Sequence, residues 1–328
     1  MPAKKSSNSP EDRKPKSTAP KGTSSKGIKA PSAKPKAAQL LRCGTVAIAG
    51  RPNAGKSTLL NALLGTKLAI VSSKPQTTRG AIMGVVTEAA GQIVFTDTPG
   101  IHKSDNLINR RMMQSVRAAL EGKHVLLYVA DARLIPDSGE LNEEEKQALD
   151  TLRRAKEEAG VPAFLALNKI DQIEDKRMLL PRLEGIAAVF PFEELFPVSA
   201  LRNKGIEELK KAIFARLPLS KPVYEEDYLT DMPERNIVAE LIRERILQLT
   251  SEEVPHSVAV LIEEWEEGPK QTRVSASIIV ERDGQKPILI GAKGAMIKRI
   301  GSEARQEMEH LLGKRFHLEL FVKVKPKW

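Results

Sequence analysis

Gly50-Arg51-Pro52-Asn53-Ala54-Gly55-Lys56-Ser57 follows directly on the apolar run Val46-Ala47-Ile48-Ala49. The run reads as a buried strand. Thr58-Leu59-Leu60-Asn61-Ala62-Leu63-Leu64, stopped by Gly65, reads as the helix that follows. A strand, a glycine-rich turn and a helix form a phosphate-binding loop. Two glycines let the backbone curl so that successive N–H groups converge on one anion. Lys56 can reach terminal phosphates, and the Ser57 hydroxyl is placed to ligate Mg²⁺. The helix beginning at Thr58 adds the partial positive charge of its N-terminus. Gly50, Asn53, Ala54, Gly55, Lys56, Ser57 and Thr58 are therefore candidate ligands of a nucleoside triphosphate.

Three later segments narrow the base to guanine. Ile93-Val94-Phe95-Thr96-Asp97-Thr98-Pro99-Gly100 is an apolar strand ending in an acid and then a glycine. Asp97 can hold Mg²⁺ through its water shell, and the Gly100 N–H can bond a γ-phosphate oxygen, with Thr98 and Pro99 between them. Ala163-Phe164-Leu165-Ala166-Leu167 leads into Asn168-Lys169-Ile170-Asp171. Asp171 can accept from guanine N1–H and its 2-amino group, which adenine lacks, so the wrong base leaves a carboxylate unpaired. Phe196-Pro197-Val198-Ser199-Ala200 forms a short strand and loop whose backbone N–H groups at Ser199 and Ala200 can reach guanine O6. Between the first helix and the strand Ile82-Met83-Gly84-Val85-Val86 lies Lys74-Pro75-Gln76-Thr77-Thr78-Arg79-Gly80. Such a loop closes over Mg²⁺ and the γ-phosphate and releases on hydrolysis, with Thr78 as the metal ligand and Thr77 as the alternative.

These motifs together resemble the Era family of GTPases. The resemblance rests on Gly-Arg-Pro-Asn-Ala-Gly-Lys-Ser-Thr from Gly50, Gln-Thr-Thr-Arg from Gln76, Asp-Thr-Pro-Gly from Asp97 and Asn-Lys-Ile-Asp from Asn168, and it spans residues 42–328. Gly80 departs from the family pattern, where a larger residue usually follows Thr-Thr-Arg. The resemblance implies GTP hydrolysis to GDP and phosphate, with Lys56, Thr78, Asp97 and Gly100 as the catalytic set. Ile101 stands where Ras-like enzymes carry a water-orienting Gln nearby, and an apolar side chain cannot take that role. Era-like GTPases share this substitution, and the resemblance implies slow intrinsic turnover. In related GTPases with Asn at the position of Asn53, that side chain helps bind K⁺ beside the phosphates, where a cation neutralises transition-state charge.

Length and pattern divide the 328 residues into four parts. Residues 1–40 hold ten Lys/Arg against two Asp/Glu, a net of +8 out of the chain's +10. This tail of Lys, Pro, Ser and Ala has too few large apolar side chains to order itself and is expected to be disordered. It is either an electrostatic attractor of RNA phosphates or a solubilising segment. It carries no hydrophobic stretch of a secretory signal, and Glu11, Asp12 and the use of Lys rather than Arg argue against a transit peptide. Residues 41–217 alternate apolar strands with amphipathic helices, among them Val125-Leu126-Leu127-Tyr128-Val129 ended by Asp131, and predict a doubly wound α/β P-loop domain. Residues 218–235, with Pro218 and Pro222 and an acidic stretch from Tyr224, read as a linker.

Residues 236–328 change order to helix, strand, strand, helix, strand. The helix runs from Ile237 to Leu249. Val258, Val260 and Ile262, then Val274, Ala276, Ile278 and Val280, alternate as two strands. Phe316, Leu318, Leu320, Val322 and Val324 line one face of the last strand, and Phe321, Lys323 and Lys325 the other, as a nucleic-acid surface or as plain solvated strand. Gly291-Ala292-Lys293-Gly294 precedes a helix with Ile297, Ile300, Ala304, Met308 and Leu311 at three- and four-residue spacing. A Gly-x-x-Gly loop in this setting predicts a KH domain. Its backbone approaches the phosphates of four single-stranded nucleotides, with Lys293, Lys298 and Arg299 adding charge. The arrangement resembles the type II KH domain that ends Era proteins, and the resemblance implies the 3′ end of 16S ribosomal RNA as target and small-ribosomal-subunit maturation as task.

No apolar run approaches the ~20 residues that span a bilayer. The single Cys43 excludes an internal disulfide and suits a reducing cytoplasm. Five histidines show no zinc-site spacing. A first rival, an RNA-modification GTPase acting on tRNA, would require a catalytic or cofactor-binding domain, for which these four parts leave no spare region. The remaining rival is a membrane-surface signalling GTPase acting through protein partners, its basic tail on anionic lipid. That tail lacks Trp, Phe and an amphipathic helix, so weak peripheral association of a cytoplasmic monomer is the most the sequence supports.

Overall fold

The computed structural model describes residues 40–72, 74, 81–97, 122–250 and 258–326. The tail through residue 39, Thr77, Thr78, Gly80, Thr98, Pro99, Gly100 and Ile101 lie outside the described residues. The first unit is built on β1 (Leu41–Ala49), β2 (Ile82–Glu88), β3 (Gly91–Asp97), β4 (Val125–Asp131), β5 (Ala163–Asn168) and β6 (Glu194–Pro197), in the order β2-β3-β1-β4-β5-β6. β1 runs parallel to β3 and β4, with Val46 beside Phe95 and Val125; β2 alone of these six is antiparallel to its neighbour. Among the described residues its α-helices are α1 (Lys56–Leu64), α2 (Glu143–Ala159), α3 (Leu179–Val189) and α4 (Ile206–Arg216).

The central strands are hydrophobic on both faces, and each face joins a different core. Val46, Ile48, Val125, Leu127 and Val129 pack with α1 and α4, whereas Ala47, Ala49, Leu126, Tyr128 and Ala130 pack with α2 and α3. A parallel sheet covered on both sides requires this near-continuous apolar run. The carboxyl ends of β1, β3, β4 and β5 then converge where Gly50, Asp97, Asp131 and Asn168 sit, as the doubly wound expectation requires.

The stretch after α4 is more ordered than a plain linker. β7 (Leu219–Ser220) pairs antiparallel with β1, Leu41 opposite Ser220. The buried side chain of Gln92 then accepts from the N–H groups of Val223 and Tyr224 through Oε1, at 2.8 and 3.0 Å, and donates to the Tyr224 carbonyl. Thr230 Oγ1 donates to the Met83 carbonyl at 2.7 Å. One glutamine and one threonine thus satisfy backbone that has no regular partner of its own.

The second unit is a sheet of β8 (Val258–Glu267), β9 (Thr272–Val280) and β10 (Phe316–Val324), ordered β10-β9-β8, with β10 parallel to β9 and β8 antiparallel. α5 (Glu234–Leu249), α6 (Gln285–Ile290) and α7 (Ala295–Leu312) cover it. α5 starts three residues before the sequence expectation, with Pro233 at its N-cap. α6 was not expected: a six-residue segment containing Pro287 offers too little periodicity to read as a helix. The apolar faces of α7 (Ile300, Ala304, Met308) and β10 pack as the spacing predicts, and their core is continuous with that beneath α1.

Candidate functional site

The loop from Gly50 to Ser57 joins β1 to α1 in a backbone that side chains would block. Gly50 has φ 146°, and a Cβ there would lie 2.3 Å from the Val129 carbonyl oxygen. Gly55 has φ 93°, and a Cβ would meet Asn168 Nδ2 at 2.4 Å. Asn53 adopts φ 61°, a conformation that Asn tolerates better than most residues. Lys56 is 6% exposed, and its Nζ donates to the Arg51 carbonyl at 2.9 Å across the mouth of the loop. Burial pushes its pKa down to about 8; the Asp97 carboxylate opposes this and Lys169 adds to it. Ser57 Oγ donates to Asp97 Oδ2 at 2.7 Å, and Asp97 is fully buried.

The Asn-Lys-x-Asp segment does two separate jobs. Asn168 is buried and structural: its Nδ2 donates to the Ala54 carbonyl at 3.0 Å and its Oδ1 accepts from Ala200 N at 3.0 Å. It staples the phosphate loop to the loop after β6. Lys169, at φ 65°, sends Nζ to the Asn53 carbonyl and to Asp131 Oδ2 at 2.8 Å. Asp171 accepts at Oδ1 from Ser199 Oγ at 2.5 Å and faces the cleft. The backbone N–H groups of the last loop are used internally, Ser199 N–H by the Lys204 carbonyl at 3.0 Å and Ala200 N–H by Asn168. Pro52, Asn53, Gly55, Lys56, Ser57, Thr58, Asn168, Lys169, Asp171 and Ala200 line one cleft of about 490 Å³, together with Ile70, Val71, Ser72 and Arg133.

Several side chains that brace this cleft without lining it were not expected from sequence. Arg51 pairs with Glu144 and, at 3.5 Å, with Glu145 at the start of α2. Tyr128 OH donates to the other oxygen of Glu145 at 2.6 Å. Burial raises the Glu145 carboxyl above its ordinary range despite Tyr128 and Arg51. The signal in the sequence was Tyr128 itself, since a phenol inside a buried strand needs a partner. Asp131 takes Lys169 and a bidentate Arg133. Burial alone would raise it, but those cations hold its carboxyl below the usual range.

In the second unit the Gly-x-x-Gly loop closes α6 and opens α7. Gly291 has φ 70°, Lys293 φ 51° and Gly294 φ 79°. A Cβ on Gly291 would lie 2.7 Å from Met296 Cβ, whereas one on Gly294 meets nothing within 4 Å. Gly294 is the N-cap of α7, so the helix's first N–H groups open beside exposed Lys293, Lys298 and Arg299. Arg299 Nε donates to Glu303 at 2.8 Å. Among the described residues there is no cluster of His, Cys, Asp and Glu able to hold a metal on its own, and no helix long and apolar enough to cross a membrane.

Residues 45–169 match the family described as 50S ribosome-binding GTPase, and residues 253–328 match the KH domain family. GTPase Era of Trichlorobacter lovleyi is 43% identical over 288 residues, covering 88% of this chain and 94% of that protein. GTPase Era of Pseudomonas fluorescens is 46% identical over 288 residues, 88% of this chain and 93% of its own. An Aquifex aeolicus Era variant bound to GDP and tetrafluoroaluminate superposes with a TM-score of 0.81 at 39% identity, covering 88% of this chain and 95% of that one. A structure of Era in complex with MgGDPNP and nucleotides 1506–1542 of 16S ribosomal RNA matches with the same TM-score of 0.81, 39% identity and the same coverage of 88% and 95%.

Proposed function

This chain belongs to the Era family of GTPases, and from that premise we propose that it is a guanine-nucleotide switch whose KH domain binds the single-stranded 3′ end of 16S ribosomal RNA during small-subunit assembly. It hydrolyses GTP to GDP and phosphate. We assign residues 41–217 to the GTPase domain, 218–235 to the connection and 236–328 to RNA binding. The observation that carries the nucleotide assignment is the convergence of Lys56, Asn168 and the Ser199–Asp171 pair on one cleft.

In this reading the N–H groups from Asn53 to Thr58 and Lys56 hold the phosphates. Asp171, oriented by Ser199, reads guanine N1–H and the 2-amino group. Asn168 works by holding Ala54 and Ala200 in place rather than by reading the base. Ser57 and Asp97 offer hard oxygens at one point, a donor set that fits Mg²⁺ and water. Thr78, Thr98, Pro99 and Gly100 complete the set on the γ-phosphate side. Bound Mg²⁺ supplies positive charge against the β- and γ-phosphates. Ile101 leaves water orientation to other groups, so turnover is slow. K⁺ beside Asn53 is part of the proposal, and hydrolysis equally fast in Na⁺ and K⁺ excludes it.

For RNA, Gly294 carries the proposal: a left-handed residue with open space around it at a helix N-terminus, flanked by Lys293, Lys298 and Arg299. Backbone so exposed can approach phosphates closely. We place the protein in the cytoplasm as a monomer, with at most weak peripheral membrane association through the basic tail. Fluorescence anisotropy of a labelled RNA matching the 3′ end of 16S rRNA, with a GTP analogue bound, tests the assignment. Tight binding lost in Gly294→Asp supports it; binding indifferent to that change refutes the RNA site.

A further inference from the structure

Residues 66–72 connect α1 toward the switch loop without a helix or strand of their own. Two sets of side chains hold them. From the GTPase side, Asn61 Oδ1 accepts from Leu68 N and Ala69 N, at 2.9 and 2.8 Å, and its Nδ2 donates to the Ala69 carbonyl. From the RNA-binding side, α5 takes both backbone groups of Val71. Glu244 Oε1 accepts from Val71 N at 2.9 Å, and Gln248 Nε2 donates to the Val71 carbonyl at 3.2 Å. Glu244 and Gln248 are four residues apart and so lie on one face of α5, one turn from each other.

Glu244 is 1% exposed and is paired at 2.6 Å with Lys67. The same Lys67 ammonium reaches Glu307 on α7 at 3.0 Å, and Glu307 is held by Arg245 at 2.7 Å. A buried carboxylate matched by a cation and a backbone N–H has a defined orientation, because any rotation strands a charge. Val71 is meanwhile a wall of the nucleotide cleft, between Ile70 and Ser72.

We propose that Glu244 and Gln248 of α5 are positioning residues for the nucleotide cleft, so that the RNA-binding domain supplies the clamp that fixes one wall of the GTPase site. This rests on the assignment of that cleft to guanine nucleotide. Neither side chain touches nucleotide; each acts through the Val71 backbone. Loss of the clamp loosens residues 70–72 and speeds nucleotide release. The ion cluster beside it ties the clamp to α7, the helix that starts at the Gly-x-x-Gly loop.

The test is the dissociation rate of a fluorescent GDP from the full-length protein without RNA. Glu244→Ala and Gln248→Ala are each expected to raise it about three- to tenfold, the loss of one hydrogen bond. Glu244→Gln alone would turn its amide NH2 onto the Lys67 ammonium, so the rescue is the double variant Glu244→Gln/Lys67→Met, which keeps an acceptor for Val71 N–H while Arg245 still holds Glu307; its rate stays within about twofold of wild type. That rescue separates positioning from general destabilisation, and circular dichroism melting of each variant checks the fold; exposed Gln248 tolerates truncation. Rates unchanged in folded Gln248→Ala and Glu244→Ala overturn the proposal, as does Glu244→Gln/Lys67→Met matching Glu244→Ala. Failure of the RNA-switch reading is distinct: wild type would bind RNA equally with GDP and GTP analogue while the release rates still rise, and the clamp would stand.

Discussion

Ser57 Oγ donates to Asp97 Oδ2 at 2.7 Å, joining the first turn of α1 to the end of β3. The two come from motifs 40 residues apart, yet they place two hard oxygens together at the phosphate loop. Asp97→Asn removes the charge and keeps the shape. Steady-state phosphate release from GTP is expected to fall by about 100-fold or more, since several kcal/mol of charge stabilisation is withdrawn. GDP binding measured in EDTA should change little. Hydrolysis within fivefold of wild type would remove Asp97 from the catalytic set.

Base selection rests on Asp171. Inosine diphosphate lacks the 2-amino group, so comparing GDP with IDP isolates one hydrogen bond to a carboxylate. Wild type should prefer GDP by about ten- to a hundredfold, the scale of a charged hydrogen bond. Asp171→Ala should bind both weakly and alike. A preference that survives in the variant would assign recognition of the amino group elsewhere.

Lys56 gives the site a pH signature. With a pKa of about 8 in the protein alone, it is an ammonium below that pH and increasingly neutral above it. Phosphates favour the ammonium, so nucleotide binding above pH 8 must take up a proton. GDP affinity should be level between pH 7 and 7.5 and fall by up to about tenfold per unit above pH 8. Calorimetry across that range in buffers of different ionisation enthalpy also reads the proton uptake. Lys56→Met should abolish the slope; a flat wild-type profile to pH 9.5 would contradict the assignment.

The two loop glycines differ as probes. A side chain at Gly291 collides with Met296, whereas one at Gly294 enters open space with φ 79°. Gly291→Asp should therefore lower the melting temperature of the second domain most, and Gly294→Asp by less, by about 4–8 °C for the ~1 kcal/mol that a left-handed non-glycine residue costs. Loss of RNA binding by a folded Gly294→Asp is then electrostatic and steric at the loop itself. Equal destabilisation by both would mean that Gly294 is structural.

Much of this was legible because the informative residues are local. The phosphate loop, the Asn-Lys-Ile-Asp segment and the Gly-x-x-Gly loop each need particular residues at fixed short spacings, set by backbone conformation. The unbroken apolar run Val46-Ala47-Ile48-Ala49 announced a buried strand, and both of its faces are filled. What could not be read are pairings between distant segments. Arg51 with Glu145, Lys169 with Asp131 and Val71 with Glu244 depend on how elements pack, and each charged residue alone resembles an ordinary surface charge. β7 and α6 escaped for a different reason: two and six residues are too few to show a period. Asn168 was legible as a site member, but its role as a staple needed the positions of Ala54 and Ala200.

Nucleotide state governs RNA binding in this switch, and one titration reads that coupling. A labelled RNA matching the 3′ end of 16S rRNA is titrated with full-length protein saturated with GDP or with a non-hydrolysable GTP analogue, at one fixed salt concentration. The expected RNA Kd is about five- to a hundredfold lower in the GTP form, the usual span of coupling between two sites, with nucleotide affinity shifted by the same factor when RNA is present. Equal RNA Kd values in the two nucleotide states would contradict it.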